Sequence, residues 1–120
     1  MSICVAVTDN TEGAAALEAA AIEATQRGVQ LVAVNLTASN LDGSRLAQQG
    51  DYEVVVPDGS SDLDEVDQVL KVVEDHPDVT LLVVGVRKRS PIGKVVLGSI
   101  PQRLILEATV PVLTVKADDA

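Results

Sequence analysis

Five short apolar runs, most separated by helix-like stretches, constrain the fold of this chain more than any other feature. They are Ile3–Val7, Val29–Leu36, Tyr52–Val56, Thr80–Val84 and Pro111–Val115. Their length suits strands, and β-branched residues such as theirs pack well on a pleated surface. Most are continuous rather than alternately apolar and polar, the pattern of strands covered on both faces. Composition agrees. Hydrophobic residues make up 47% of the chain, yet it has no Phe or Trp, so Val, Ile, Leu and Ala must fill the interior.

The segments between the runs have helical periodicity. Thr11–Arg27 carries Ala14, Leu17, Ala21 and Ala24 at three- and four-residue steps, with Gly28 where a C-cap glycine belongs. Asp9, with Glu12 three residues on, is placed to cap that helix. Leu63, Val66, Leu70 and Val73 predict a second helix, capped by Ser61 and stopped by Pro77. A third is expected from Ser99 to Ala108, with Pro101 tolerated in a first turn whose N–H groups have no helical partner. Thr37–Asp51 is polar and reads as a loop, with at most a short helix around Arg45–Gln49.

A chain of 120 residues can bury one core, so one domain is expected over 1–120. Strands alternating with helices imply an α/β fold, a parallel sheet with right-handed crossovers. In such sheets ligands bind beyond the carboxyl ends of the strands, where strand order reverses. That rule points to Thr8–Thr11 and Gly85–Ser99.

Charge narrows the choice of ligand. The net charge of −9 repels phosphate backbones and anionic membranes, and the chain lacks aromatic platforms for stacking bases. Neither nucleic acid nor membrane is an expected partner. Without a basic segment leading into a long apolar stretch, no signal peptide or membrane span is expected, and a cytoplasmic location follows. The charge is nevertheless uneven. No acidic residue lies between Asp78 and Glu107, while Arg87, Lys88, Arg89, Lys94 and Arg103, five of the nine basic residues, fall there. A small anion is the natural guest. Cys4, alone in an apolar run, reads as a small buried hydrophobe, and no Cys/His cluster suggests a metal site.

Two devices for holding phosphate coincide after the fourth run. Glycines at 85 and 98 let backbone approach an anion, and the exposed N–H groups of a helix start at Ser99 attract negative charge. The Ser99 hydroxyl adds a donor. No Walker pattern is present. The spacing of Gly85 and Gly98-Ser99 resembles the nucleotide loop of the universal stress protein family, in which Gly, two residues, Gly and nine residues precede Gly-Ser or Gly-Thr. Position 88, where the family has its second glycine, is Lys. Val7-Thr8-Asp9, Val34-Asn35-Leu36 and Ala108–Val115 resemble other segments of the same family.

The resemblance implies a Rossmann-like domain with strand order 3-2-1-4-5, helices on both faces, and an adenine nucleotide, ATP or AMP, as ligand, with Mg²⁺ left open. It implies that Thr8 and Asp9 lie near base and ribose and that the Leu36 backbone meets adenine. Val84 and Gly85 would border ribose and phosphates, and Gly98, Ser99 and Ile100 would bind phosphate. Lys88 either obstructs that approach or offers its ammonium to a phosphate. The function implied is regulatory, in stress adaptation, through an unidentified protein partner and a homodimer paired through the last strand. The alternative is a nucleotide-free dimeric scaffold. No nucleophile–base pair is visible, and His76 sits at a helix end, so an enzyme is not indicated, slow ATP hydrolysis apart.

Overall fold

The computed structural model describes residues 1–41, 50–60, 62–89 and 94–118. Its strands are β1 (Ser2–Val7), β2 (Gln30–Asn35), β3 (Tyr52–Val55), β4 (Val79–Arg89), β5 (Lys94–Val96) and β6 (Val112–Asp118). The helices are α1 (Thr11–Arg27), α2 (Glu65–Asp75) and α3 (Ser99–Glu107). Five strands run parallel in the order β3-β2-β1-β4-β6, the 3-2-1-4-5 arrangement expected from the sequence.

β5 departs from expectation. The apolar run at Thr80–Val84 suggests a strand ending there, but β4 continues through Gly85 to Arg89 and pairs antiparallel with β5, Arg87 opposite Val96. Charged residues extend this strand because β6 supplies a partner edge, with Gly85 opposite Val115 and Lys88 opposite Asp118. Pairing overrides polarity here.

β1 is the buried axis of the sheet, flanked by β2 and β4 and covered along its whole length. Its side chains alternate between two cores, as strand geometry requires. Ile3, Val5 and Val7 pack with the α1 alanines on one face. Cys4 and Ala6 pack on the other with Val66, Val69 and Val73 of α2 and Leu104 of α3. Helices therefore cover both faces. Cys4 is inert in this setting, since burial pushes its thiol pKa up to about 12.

The helix ends correct three sequence expectations. Asn10, not Asp9, caps α1, its side chain accepting from the Gly13 amide at 2.8 Å. The buried face of α1 is Gly13, Ala16, Ala20, Ala21 and Ala24, whereas Ala14 is exposed and Leu17 only half-buried. Ala21 and Ala24 of the expected stripe are buried, and the first half of the stripe is displaced toward Gly13 and Ala16. Asp64, not Ser61, caps α2, accepting from the Asp67 amide at 2.8 Å, and Leu63 stays outside the helix. Ser61 and the short helix expected around Arg45–Gln49 lie outside the described residues. Gly28 ends α1 in the left-handed conformation, φ 65°, as its C-cap place demands. Among the described residues no helix is long and apolar enough to cross a membrane.

Two glycines set how close α1 comes to the strands. A Cβ on Gly13 would lie 1.9 Å from the Thr8 carbonyl oxygen, and one on Gly85 would lie 2.0 Å from that of Glu12. Gly98 is different. A Cβ there would come no nearer than 3.7 Å, to a Pro101 carbon, and its φ of −68° suits any residue. Gly13→Ala and Gly85→Ala should each destabilise the fold by about 1–3 kcal/mol in urea unfolding, the cost of overpacking. The first should do so although Ala favours a helix interior by about 1 kcal/mol over Gly. Gly98→Ala should stay within about 0.5 kcal/mol of the parent.

His76 fastens the end of α2 to the edge strand β3. Its Nδ1 lies 2.8 Å from the Val72 carbonyl and its Nε2 2.9 Å from the Glu53 carboxylate. Both partners only accept, so both ring nitrogens donate when the ring is protonated. The Val72 carbonyl first, then Glu53 and Asp78, raise the His76 pKa above its ordinary value although partial burial opposes them. A raised folded-state pKa gives stability that is complete below the unfolded value of about 6.5 and is lost as pH rises through the folded value. His76→Gln should therefore cost more in urea unfolding at pH 5.5 than at pH 8.5. An equal cost at both would show that the ring contributes no proton-linked bond.

Candidate functional site

The carboxyl ends of β1 and β4 meet two helix starts, and the space between them is a cleft of about 220 Å³. Thr8 and Asn10 border it at the exit of β1, Gly85 to Arg87 along β4, and Gly98 to Pro101 at the start of α3. β1 and β4 run side by side, Ala6 opposite Val84, so their exits emerge together. Residues more than seventy positions apart thus form one wall.

The two helix starts are unlike. On α1, Asn10 Oδ1 accepts from the Gly13 amide and from the Thr8 hydroxyl at 2.6 Å, and Glu12 puts a carboxylate in the first turn. That start is satisfied by its own chain. On α3, Gly98 occupies the cap position without a side-chain bond, and no acidic residue lies in the first turn. Pro101 has no N–H, while the Gln102 amide donates to the Gly98 carbonyl at 3.1 Å. The amides of Gly98, Ser99 and Ile100 are the donors such a helix start leaves to a ligand. Gly98 adds no bulk over them.

Of the nine residues picked from the sequence, Thr8, Gly85, Gly98, Ser99 and Ile100 line the cleft. Asp9 is exposed beside it, and Val84 is wholly buried among the Cys4-side core. Leu36 packs toward that same core, and its amide already donates to the Val7 carbonyl at 2.9 Å. Lys88 lies in β4 between Val95 and Asp118 rather than in a loop, while its side chain lies outside what is described. Gly85 has a packing reason to be glycine, the carbonyl of Glu12.

The sequence points to the segments that hold Asn10 and Arg87 without picking either, and reads Glu12 only as a partner in a helix cap. Arg87 Nε lies 3.4 Å from Glu12 Oε2, the arginine side chain about half exposed and the glutamate 13% exposed. An acid in the first turn of α1 was the available signal. The positive region read from the sequence is also weaker than its count suggests. Arg103 is spent on three carboxylates, Asp64 at 2.7 Å, Asp67 at 3.1 Å and Glu107 at 2.9 Å. Glu107 and Asp64 drive the Arg103 pKa further up, and the Asp67 amide followed by Arg103 holds Asp64 below the usual carboxylate range. Among the described residues no group of three His, Cys, Asp or Glu side chains could hold a metal ion.

Comparison with known proteins agrees with this architecture. A universal stress protein from Mycolicibacterium smegmatis is 37% identical over 119 residues, covering 87% of this chain and 88% of that protein. The structure of a universal stress protein from Archaeoglobus fulgidus superposes with a TM-score of 0.68 at 28% identity, covering 95% of this chain and 97% of the other. A structure of the Archaeoglobus fulgidus universal stress protein in complex with dAMP gives a TM-score of 0.63 at 23% identity, covering 95% and 96%. The model of the universal stress protein family matches residues 1–116, and the chain belongs to that family.

Proposed function

We propose that this protein binds an adenine nucleotide, AMP or ATP, in the cleft and acts as a regulatory protein in stress adaptation rather than as an enzyme. The observation that carries the reading is the start of α3, open to the cleft, without a capping side chain and with Gly98 bare above its amides. The dAMP complex of a relative with the same fold supports it. The Ser99 hydroxyl and the amides of Gly98, Ser99 and Ile100 hold the phosphate. Thr8 and Gly85 border the ribose, and the base extends toward Asp9 and Leu36, since a cleft of about 220 Å³ falls short of the roughly 300 Å³ at which ligand pockets begin.

The chemistry of the chain favours holding over turnover. Its only His is engaged by Val72 and Glu53, and Cys4 is fully buried. Ser99 thus has no imidazole in the cleft to activate it. Denaturing the purified protein and weighing the released small molecules by mass spectrometry should reveal an adenine nucleotide. In calorimetry Ser99→Ala should bind AMP about tenfold more weakly, the worth of one hydrogen bond to a charged group. Absence of both copurified nucleotide and binding heat at high protein concentration would remove the reading.

The scaffold reading has its own observation. β6 pairs with β4 on one edge, and along it Leu113 is 37% exposed while Val112 and Val115 are half-buried. An apolar edge strand of this kind is a template for a second copy, and we propose a homodimer paired there. Leu113→Lys should weaken dimerisation at least tenfold in sedimentation, and a parent protein that sediments only as monomer would end the proposal.

A further inference from the structure

A carboxylate lines the same cleft as the place assigned to phosphate. Among the described residues lining the cleft, Glu12 and Arg87 are the charged ones, and they cancel each other at 3.4 Å. Glu12 is held there. Its backbone lies against Gly85 so closely that even a methyl group would not fit between them, and its side chain is mostly buried. Arg87, about half exposed, has the room to move that Glu12 lacks.

Resting on the nucleotide reading above, we propose that Glu12 determines which phosphate chain the cleft accepts, selecting a monophosphate over an uncomplexed triphosphate. Two parts of the cleft differ in charge. The α3 start offers amides to one phosphate group, while the α1 start carries Glu12 and has its own cap. A single phosphate sits on the α3 amides and draws Arg87 away from Glu12. Each further phosphate adds negative charge to a cleft of about 220 Å³ whose lining already includes that fixed carboxylate, and like charges in one small site repel. Salt screens a mostly buried carboxylate less than an exposed one. A divalent cation on the β- and γ-phosphates relieves the repulsion and turns Glu12 from a repulsive neighbour into an attractive one.

Calorimetry at fixed ionic strength with AMP, ATP and Mg·ATP, on the parent, Glu12→Gln and Arg87→Gln, tests this. The parent should bind AMP at least tenfold more tightly than metal-free ATP, and Mg²⁺ should recover most of the difference. Glu12→Gln should tighten metal-free ATP about tenfold, or 1.4 kcal/mol, more than it changes AMP. Arg87→Gln should weaken every nucleotide. A purely structural role for Glu12 would shift AMP and ATP alike, so the ratio is the diagnostic. Glu12→Asp, which keeps charge on the first turn of α1 but draws it back from the cleft, should move the ratio in the same direction by less. An unchanged AMP-to-ATP ratio in Glu12→Gln overturns this inference and leaves nucleotide binding standing. No binding by any of the proteins overturns both. Binding by Glu12→Gln alone likewise overturns both, since the natural cleft would then accept no monophosphate.

Discussion

The first turn of α1 lies directly on the backbone of two strands, with Gly13 against the Thr8 carbonyl and Gly85 against the carbonyl of Glu12. Both contacts are closer than any side chain permits, and together they fix where the exit of β1, the start of α1 and the middle of β4 stand. The cleft is what remains between that junction and the start of α3. Its shape is therefore set by packing rather than by the lengths of loops.

The same closeness explains an interior without large rings. Alanines on α1 and small β-branched residues on the sheet let the layers approach, and the largest fully buried side chains are Ile3, Leu31, Leu82 and Leu104. Bulkier residues stay at the margin, Ile22 of α1 among them. Polar atoms inside are few and occupied. Asn35, buried at the end of β2, accepts from the Thr37 amide and donates to the Ser39 carbonyl, shaping the start of the following loop.

The parallel sheet was legible because its strands are continuous apolar runs, and period-two alternation along β1 accounts for both cores. The boundaries were harder. Asp9, Asn10 and Thr11 are capping residue types in a row, Ser61, Asp62 and Asp64 cluster likewise near α2, and only tertiary packing chooses among them. The extension of β4 was hidden by its charges, since the edge that recruits Arg87 and Lys88 comes from residues twenty-five and more positions later. In the site, spacing found Gly98 and Ser99, yet it gave Gly85 a ligand's reason for a feature that serves packing. Glu12 escaped because its importance depends on Arg87, a partner on another element.

The ion cluster around Arg103 gives the cleft a mechanical character. By bonding Asp64 and Asp67 at the head of α2 while joined to Glu107 within α3, it makes those two helices one leaf on a single face of the sheet. On the opposite face α1 is pinned to the strands by its glycines. The cleft is consequently a seam between a leaf and a fixed post. The start of α3 is thereby tied to the head of α2 through guanidinium bonds that lie outside the cleft lining.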